Sequence, residues 1–329
     1  MTARSEYRVI EIFRNAFAET GCLDNAQLEA DAPAVRGGRI NIDAAVAGAH
    51  FPWPCPNPHG AGWRSVMAAV SDLASVGAVP TDILLSVSVP DVERYEKFLR
   101  PFAAGAAGAA AHCGLKLVGG NVTRGDFQLH SVVAGRNAHP RAGFGDARPG
   151  DRIWITGPIG DAAAELRALL LGELSPDGAR HYWYPEARLS IGQALWEMAW
   201  VVGAIDISDG WIADLLRLLR GQAPQASGAA PGAWLDPDAV PRSSLYQERW
   251  SVHQDPEVRR AAFVGGEDYE LIFLSRDVHQ GAVLDALGSI APNVACVGFV
   301  QAKPGLGWER PPEVALGSGF GYDPYDGSP

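Results

Sequence analysis

Val264-Gly265-Gly266-Glu267-Asp268-Tyr269-Glu270-Leu271 joins an apolar run to small residues and then to acidic side chains. Two other stretches are built alike: Ala204-Ile205-Asp206-Ile207-Ser208-Asp209-Gly210 and Leu117-Val118-Gly119-Gly120-Asn121-Val122-Thr123-Arg124-Gly125. Each runs strand-like residues into flexible ones and then into acidic or hydroxyl side chains. That is how a chain places carboxylates and bare backbone N–H groups at the end of a sheet. Carboxylates so placed bind hard cations such as Mg²⁺, and the N–H groups bind phosphate oxygens. The pattern is that of a chain built to hold a metal–nucleotide.

Working outward, apolar residues at Val9, Ile10, Phe13 and Phe17 have helical spacing over Glu6 to Phe17. Ile40 to Val46 reads as a strand ending in Ala47-Gly48-Ala49-His50-Phe51, and Pro52 to Gly62 as a proline-rich loop. Trp63 to Val76 reads as a helix with Val66, Met67, Val70, Leu73 and Ala74 on its buried stripe. Asp82 to Val89 follows as a strand, Val92 to His112 as a helix, Leu115 to Val118 as a strand entering a Gly119-Gly120 turn, and Gln128 to Gly135 as a strand. Asp146 to Asp151 is a turn cluster and the expected domain boundary. Beyond it, strands are expected at Arg152 to Ile155, Ile205 to Ile207, Glu270 to Leu274 and Val294 to Val300. Helices are expected at Gly160 to Leu171, Gly210 to Leu219 and Val278 to Leu287, and a loop at Gly221 to Gly232. The class is α+β: two mixed α/β domains, 1–148 and 149–329, with no internal repeat.

Composition narrows the functional classes. A chain of 329 residues exceeds one ordinary domain, so two of roughly 150 residues are expected. Hydrophobic residues make up 47% and charged residues 20%, as in a globular protein. No apolar run approaches the roughly 20 residues that span a bilayer, and Met1 to Ile12 lacks a signal-peptide core. A cytoplasmic location without membrane partners is therefore expected. A net charge of −11 argues against nucleic-acid binding. Cys22, Cys55, Cys113 and Cys296 lie far apart without CxxC pairing, as free thiols do. There is no GxxxxGK[ST] phosphate loop and no nucleophilic serine elbow.

These motifs together, in this order, resemble the thiamine-monophosphate kinase family of the PurM-like ATP-binding superfamily, which also holds aminoimidazole ribonucleotide synthetase. The resemblance runs from Glu6-Tyr7 to Gly321-Tyr322-Asp323. It implies PurM-like N- and C-terminal domains, a homodimer joined through its N-terminal sheets, and Mg²⁺ and ATP as cofactors. By that resemblance Asp31, Asp43, Asp72, Asn121, Asp206 and Asp209 stand at metal positions. Gly120, Asn121 and Ser208 stand at ATP positions, and His50, Glu267 and Tyr322 at substrate positions. The implied reaction passes the γ-phosphoryl group of ATP to thiamine monophosphate, giving thiamine diphosphate. No single catalytic side chain is implied: such transfer rests on positioning and charge neutralisation.

The departures bear on the same chemistry. The family's early Gly-x-Gly-Asp-Asp segment reads Leu28-Glu29-Ala30-Asp31-Ala32 here, so Ala32 replaces an aspartate. The neighbours of Asp43 are Ile42 and Ala44 in place of hydroxyl residues, and Ala69 replaces an asparagine. Asn121 replaces an aspartate, and Phe144 stands where the family has an arginine that reaches ATP. Each acidic loss removes a charge that metal ions would balance, so fewer or weaker Mg²⁺ sites are expected. Two alternatives follow: a divergent paralogue acting on another phosphate or carboxylate metabolite, and a non-catalytic nucleotide-binding partner protein.

Overall fold

The computed structural model describes residues 12–22, 38–136, 142, 147–221, 230–276 and 280–312. Residues 12–19 are helical (α1), which matches the described end of the expected first helix. Asp31, Ala32, Phe144 and Tyr322 lie outside the described residues.

A four-stranded sheet has the order β1-β4-β2-β3, built from β1 (Arg39–Val46), β2 (Val79–Ser88), β3 (Lys116–Thr123) and β4 (Gln128–Arg136). The β2–β3 pair is parallel, and the pairs made by β4 are antiparallel. Helix α2 (Pro58–Ser75) packs on β1, β2 and β4 and against α3 (Val92–His112). Val89-Pro90-Asp91 alone separates β2 from α3, and the Asp91 side chain accepts the Arg94 N–H and starts α3 where the sequence places it.

A six-stranded sheet follows in the order β10-β7-β9-β5-β8-β6. Its strands are β5 (Arg152–Ile155), β6 (Val201–Asp206), β7 (Gly232–Leu235), β8 (Leu271–Ser275), β9 (Ala295–Gln301) and β10 (Leu306–Trp308). The accompanying helices are α4 (Asp161–Leu170), α5 (Arg180–Trp183), α6 (Leu189–Glu197), α7 (Trp211–Gly221), α8 (Pro256–Val264) and α9 (Gln280–Leu287). Helices α5, α6 and α8 and strands β7 and β10 are not in the sequence reading.

The second half reaches back into the first. Tyr182 and Trp183 of α5 are fully buried in the core formed by α2, α3 and the four-stranded sheet. Trp196 of α6 is 1% exposed and donates its indole N–H to the Ser75 carbonyl at 2.8 Å. That bond satisfies one of the orphan carbonyls at the end of α2 and anchors the turn that carries Asp72.

Two expected boundaries move for identifiable reasons. Helix α2 begins at Pro58 rather than Trp63, because Asn57 caps it by accepting the Gly60 N–H at 2.8 Å and Pro58 supplies a preset φ. Strand β3 runs through the expected Gly119-Gly120 turn to Thr123. A Cβ at Gly120 would meet the Leu85 carbonyl oxygen at 2.3 Å, so glycine there admits close approach to β2 rather than a reversal.

Candidate active site

The end of α2, strand β1 and the loop between β6 and α7 enclose a cleft of about 300 Å³. Asp43 comes from β1, Asp72 from the last turn of α2, Asp206 from the end of β6 and Asp209 from the loop that follows. Asp72 is thus at the end of its helix. Positions as far apart in sequence as 43 and 209 share one small volume. His50, Ser208 and Glu267 line the same cleft.

Like charges dominate its electrostatics. Burial, and then the charges of Asp206 and Asp43, push the Asp72 carboxyl up to about 8. Asp72 and Asp206 also share a hydrogen bond. Asn41 steadies Asp72 with an N–H···O bond of 2.6 Å to Oδ2 while donating to the Ala69 carbonyl at 3.1 Å. Burial raises Asp206 to about 6, and it raises Asp43 against the opposing Ala44 N–H bond of 2.7 Å. Paired buried carboxyls need a proton or a cation between them.

The donors are carboxylate oxygens, which fit a hard divalent cation. Among the described residues no three His, Cys, Asp or Glu side chains close as a preformed cage. Mg²⁺ does not demand one, since it keeps several waters and takes one or two carboxylates together with substrate phosphates.

The segment from Gly266 to Glu270 forms the opposite wall. The Glu267 N–H donates to the Ser208 carbonyl at 2.9 Å, the Tyr269 N–H to Ile207 at 3.0 Å, and the Ile207 N–H to Glu270 at 2.8 Å. A Cβ at Gly266 would meet the Ser208 oxygen at 1.8 Å, so only glycine admits this approach. Glu267 and Tyr269 take φ values of 69° and 52°, which costs about 1–3 kcal/mol each for non-glycine residues. The Glu267 carboxylate is held by the Arg64 guanidinium and by the Tyr269 hydroxyl at 2.6 Å. Arg64 is 4% exposed, lies 3.8 Å over the Tyr182 ring and donates to the His50 carbonyl at 2.6 Å. His50 accepts the Val46 N–H on Nδ1 at 3.0 Å, which puts the proton of its neutral ring on Nε2.

Asp268 faces elsewhere. It accepts the Gly160 N–H at 2.8 Å and the Ala162 N–H at 3.4 Å, capping α4 across the fold. The N–H groups of Ser208, Asp209 and Gly210 are also engaged. All three donate to Oδ2 of Asp214, at 3.0, 3.0 and 3.1 Å. The expectation of bare amides at this loop is therefore corrected: a carboxylate four residues into the helix satisfies them first.

Residues 30–136 match the family described as AIR synthase related protein, N-terminal domain. A thiamine-monophosphate kinase of Salmonella typhimurium is 33% identical over 316 residues, covering 93% of this chain and 91% of that protein. The chain belongs to the thiamine-monophosphate kinase family. The crystal structure of the thiamine-monophosphate kinase of Stenotrophomonas maltophilia K279a has a TM-score of 0.76 at 25% identity, covering 91% of this chain and 96% of the other. The structure of AaThiL complexed with AMPPCP and TMP shares the fold, with a TM-score of 0.69 at 22% identity over 83% and 84% of the two chains.

For a chain of this family, two expected nucleotide residues lie apart from the rest. Gly120 and Asn121 are on β3, the sheet edge opposite β1, and do not line the cleft. Arg64, Arg217 and Tyr269 do line it and escaped the sequence reading. Arg64 left a signal, a charge set within an apolar helical stripe. Arg217 left another, falling one helical turn after Asp214.

A pH dependence follows from the raised carboxyls. A group whose folded pKa exceeds its unfolded value stabilises the fold fully below the unfolded pKa and loses that contribution as pH rises through the folded one. For Asp72 the window runs from 3.8 to about 8. The thermal midpoint of metal-free protein is expected to fall across it, and added Mg²⁺ to raise the midpoint most at the alkaline end. Asp72→Asn flattens the profile. A wild-type midpoint that is constant over the window, or a profile unchanged in Asp72→Asn, contradicts the assignment.

Proposed function

We propose that this chain is an ATP- and Mg²⁺-dependent phosphotransferase that converts thiamine monophosphate to thiamine diphosphate in the cytoplasm. The observation that carries this reading is the convergence of Asp43, Asp72, Asp206 and Asp209 on one cleft whose other wall presents Glu267 and His50. Similarity to thiamine-monophosphate kinases over most of the chain supports the substrate. Asp31, Asn121 and Tyr322 complete the proposed metal and substrate sets, and Gly120, Asn121 and Ser208 the ATP set.

In-line transfer between two phosphates brings polyanions together, and Mg²⁺, when bound, neutralises the charge spread over the transferring group. The aspartates orient that charge compensation. Glu267, fixed by Arg64 and Tyr269, holds a negative group on the acceptor side, suited to a cationic ring. His50 offers its Nε2–H as a donor to a polar substrate atom. The test is steady ADP release with ATP and thiamine monophosphate. Turnover that needs both, and falls at least about a hundredfold in Asp72→Ala, is expected. Nucleotide binding without any turnover dependent on thiamine monophosphate sinks the kinase reading.

The chain is also proposed to act as a homodimer through its four-stranded sheet. Ile40 and Ile42 on edge strand β1 are 63% and 62% exposed, and apolar side chains in a row on a sheet are a common interface feature. A second copy presenting its β3 is the proposed route by which Gly120 and Asn121 reach a cleft. Light scattering is expected to give a dimer and Ile40→Asp a monomer; a monomeric wild type contradicts this arrangement.

A further inference from the structure

The cleft carries a charge problem that its aspartates and amides do not solve. Five carboxyl groups, those of Asp43, Asp72, Asp206, Asp209 and Glu267, line it beside two guanidinium groups, Arg64 and Arg217. The loop amides that might have received a phosphate are closed by Asp214. Arg64 is buried and committed to Glu267, the His50 carbonyl and the face of Tyr182. Arg217 is different. Its side chain is 52% exposed, and it donates from Nη1 to Asp214 Oδ1 at 2.7 Å and from Nη2 to Asp209.

A guanidinium has five N–H groups in a rigid fork, so these two bonds leave three. Asp214 is wholly buried, and its other oxygen is fixed by the three loop amides, so it acts as a rigid post. The guanidinium is therefore held at the mouth of the β6–α7 loop, beside the expected metal ligands Asp206 and Asp209. A carboxylate has two oxygens, so Asp209 can keep one on Arg217 while offering the other to a cation. The half-exposed pair with Asp209 contributes little to stability, about 0–1 kcal/mol, and the pair with buried Asp214 fixes the guanidinium without using its remaining N–H groups.

We infer that Arg217 is a phosphate-binding residue of the nucleotide site, donating its remaining N–H groups to phosphoryl oxygens of a bound nucleoside triphosphate. The inference rests on the nucleotide reading of the cleft. It gives the cleft a permanent positive charge in a chain that carries Ala32 and Asn121 where the family resemblance implies aspartates, so that protein charge takes over part of the neutralisation.

The test titrates AMP, ADP and AMPPNP, each with Mg²⁺, calorimetrically into wild type, Arg217→Gln and Arg217→Lys, with Mg²⁺ alone as a fourth titrant. Loss of a charge-assisted bond is expected to weaken AMPPNP about ten- to a hundredfold in Arg217→Gln. AMP should change far less, and Arg217→Lys should recover part of the loss. Mg²⁺ alone should bind Arg217→Gln at least as tightly as wild type, since Asp209 is released. Equal losses for AMP and AMPPNP, or a parallel loss of Mg²⁺ affinity, overturn the inference, because Arg217 then acts only by holding Asp209 and Asp214. Unchanged AMPPNP affinity also overturns it. If Arg217→Gln does not fold, Arg217→Lys decides on the same series: a loss that grows with phosphate number supports the contact, and no difference from wild type overturns it. Failure of the wild type to bind Mg²⁺·AMPPNP overturns the nucleotide reading itself, and this inference with it.

Discussion

Asp72 and Asp206 face each other across the seam between the two halves of the chain, and the cleft depends on that contact. Two carboxyls cannot both be ionised in a buried volume without a cation or a proton between them. The fold nonetheless forces them together. Trp196 holds the end of α2 by the Ser75 carbonyl, and β6, the edge strand of the six-stranded sheet, delivers Asp206 at its C-terminal end. The protein thus keeps a standing electrostatic demand that a metal–nucleotide can meet. Stability and ligand binding are coupled through it, because whatever neutralises the pair also relieves the fold.

The surrounding polar groups settle which demands remain open. Asp268 and Asp214 both close helix N-termini, one across the fold and one locally. Arg64 is spent on Glu267 and on packing against Tyr182. Besides Arg64, the groups that line the cleft include a row of carboxylates, the His50 ring and one anchored guanidinium. Strain is concentrated in the same place, since Glu267 and Tyr269 hold left-handed φ values alongside the ladder to Ile207 and Ser208 and the Arg64–Glu267–Tyr269 contacts.

Much of this was legible in the residues. Val92 to His112 is a helix with the expected ends because Asp91 caps it and the apolar stripe is continuous. Asp43, Asp72, Asp206 and Asp209 stand out through the family resemblance, and the structure brings them together. The unread parts have physical causes. Strand β3 hides behind Gly119-Gly120, where Gly120 admits strand contact rather than a turn. Helices α5 and α6 are short, four and nine residues, and draw stability from burial of Trp183 and Trp196 rather than from periodicity. Capture of the loop amides by Asp214 cannot be seen in a motif, because Asp-Gly followed by a helix reads equally as an open anion site. Arg64 and Arg217 take their roles from partners distant in sequence or from the direction a helix face turns, which spacing alone does not specify.

The central claim is that aspartates from both halves form one cation–nucleotide cleft. Anomalous diffraction from crystals grown with Mn²⁺ and AMPPNP tests it most directly. The account predicts manganese peaks bounded by Asp72 and Asp206, with Asp43 or Asp209 completing the protein ligands and the triphosphate in the same cleft. Manganese or triphosphate bound away from these four aspartates would contradict it.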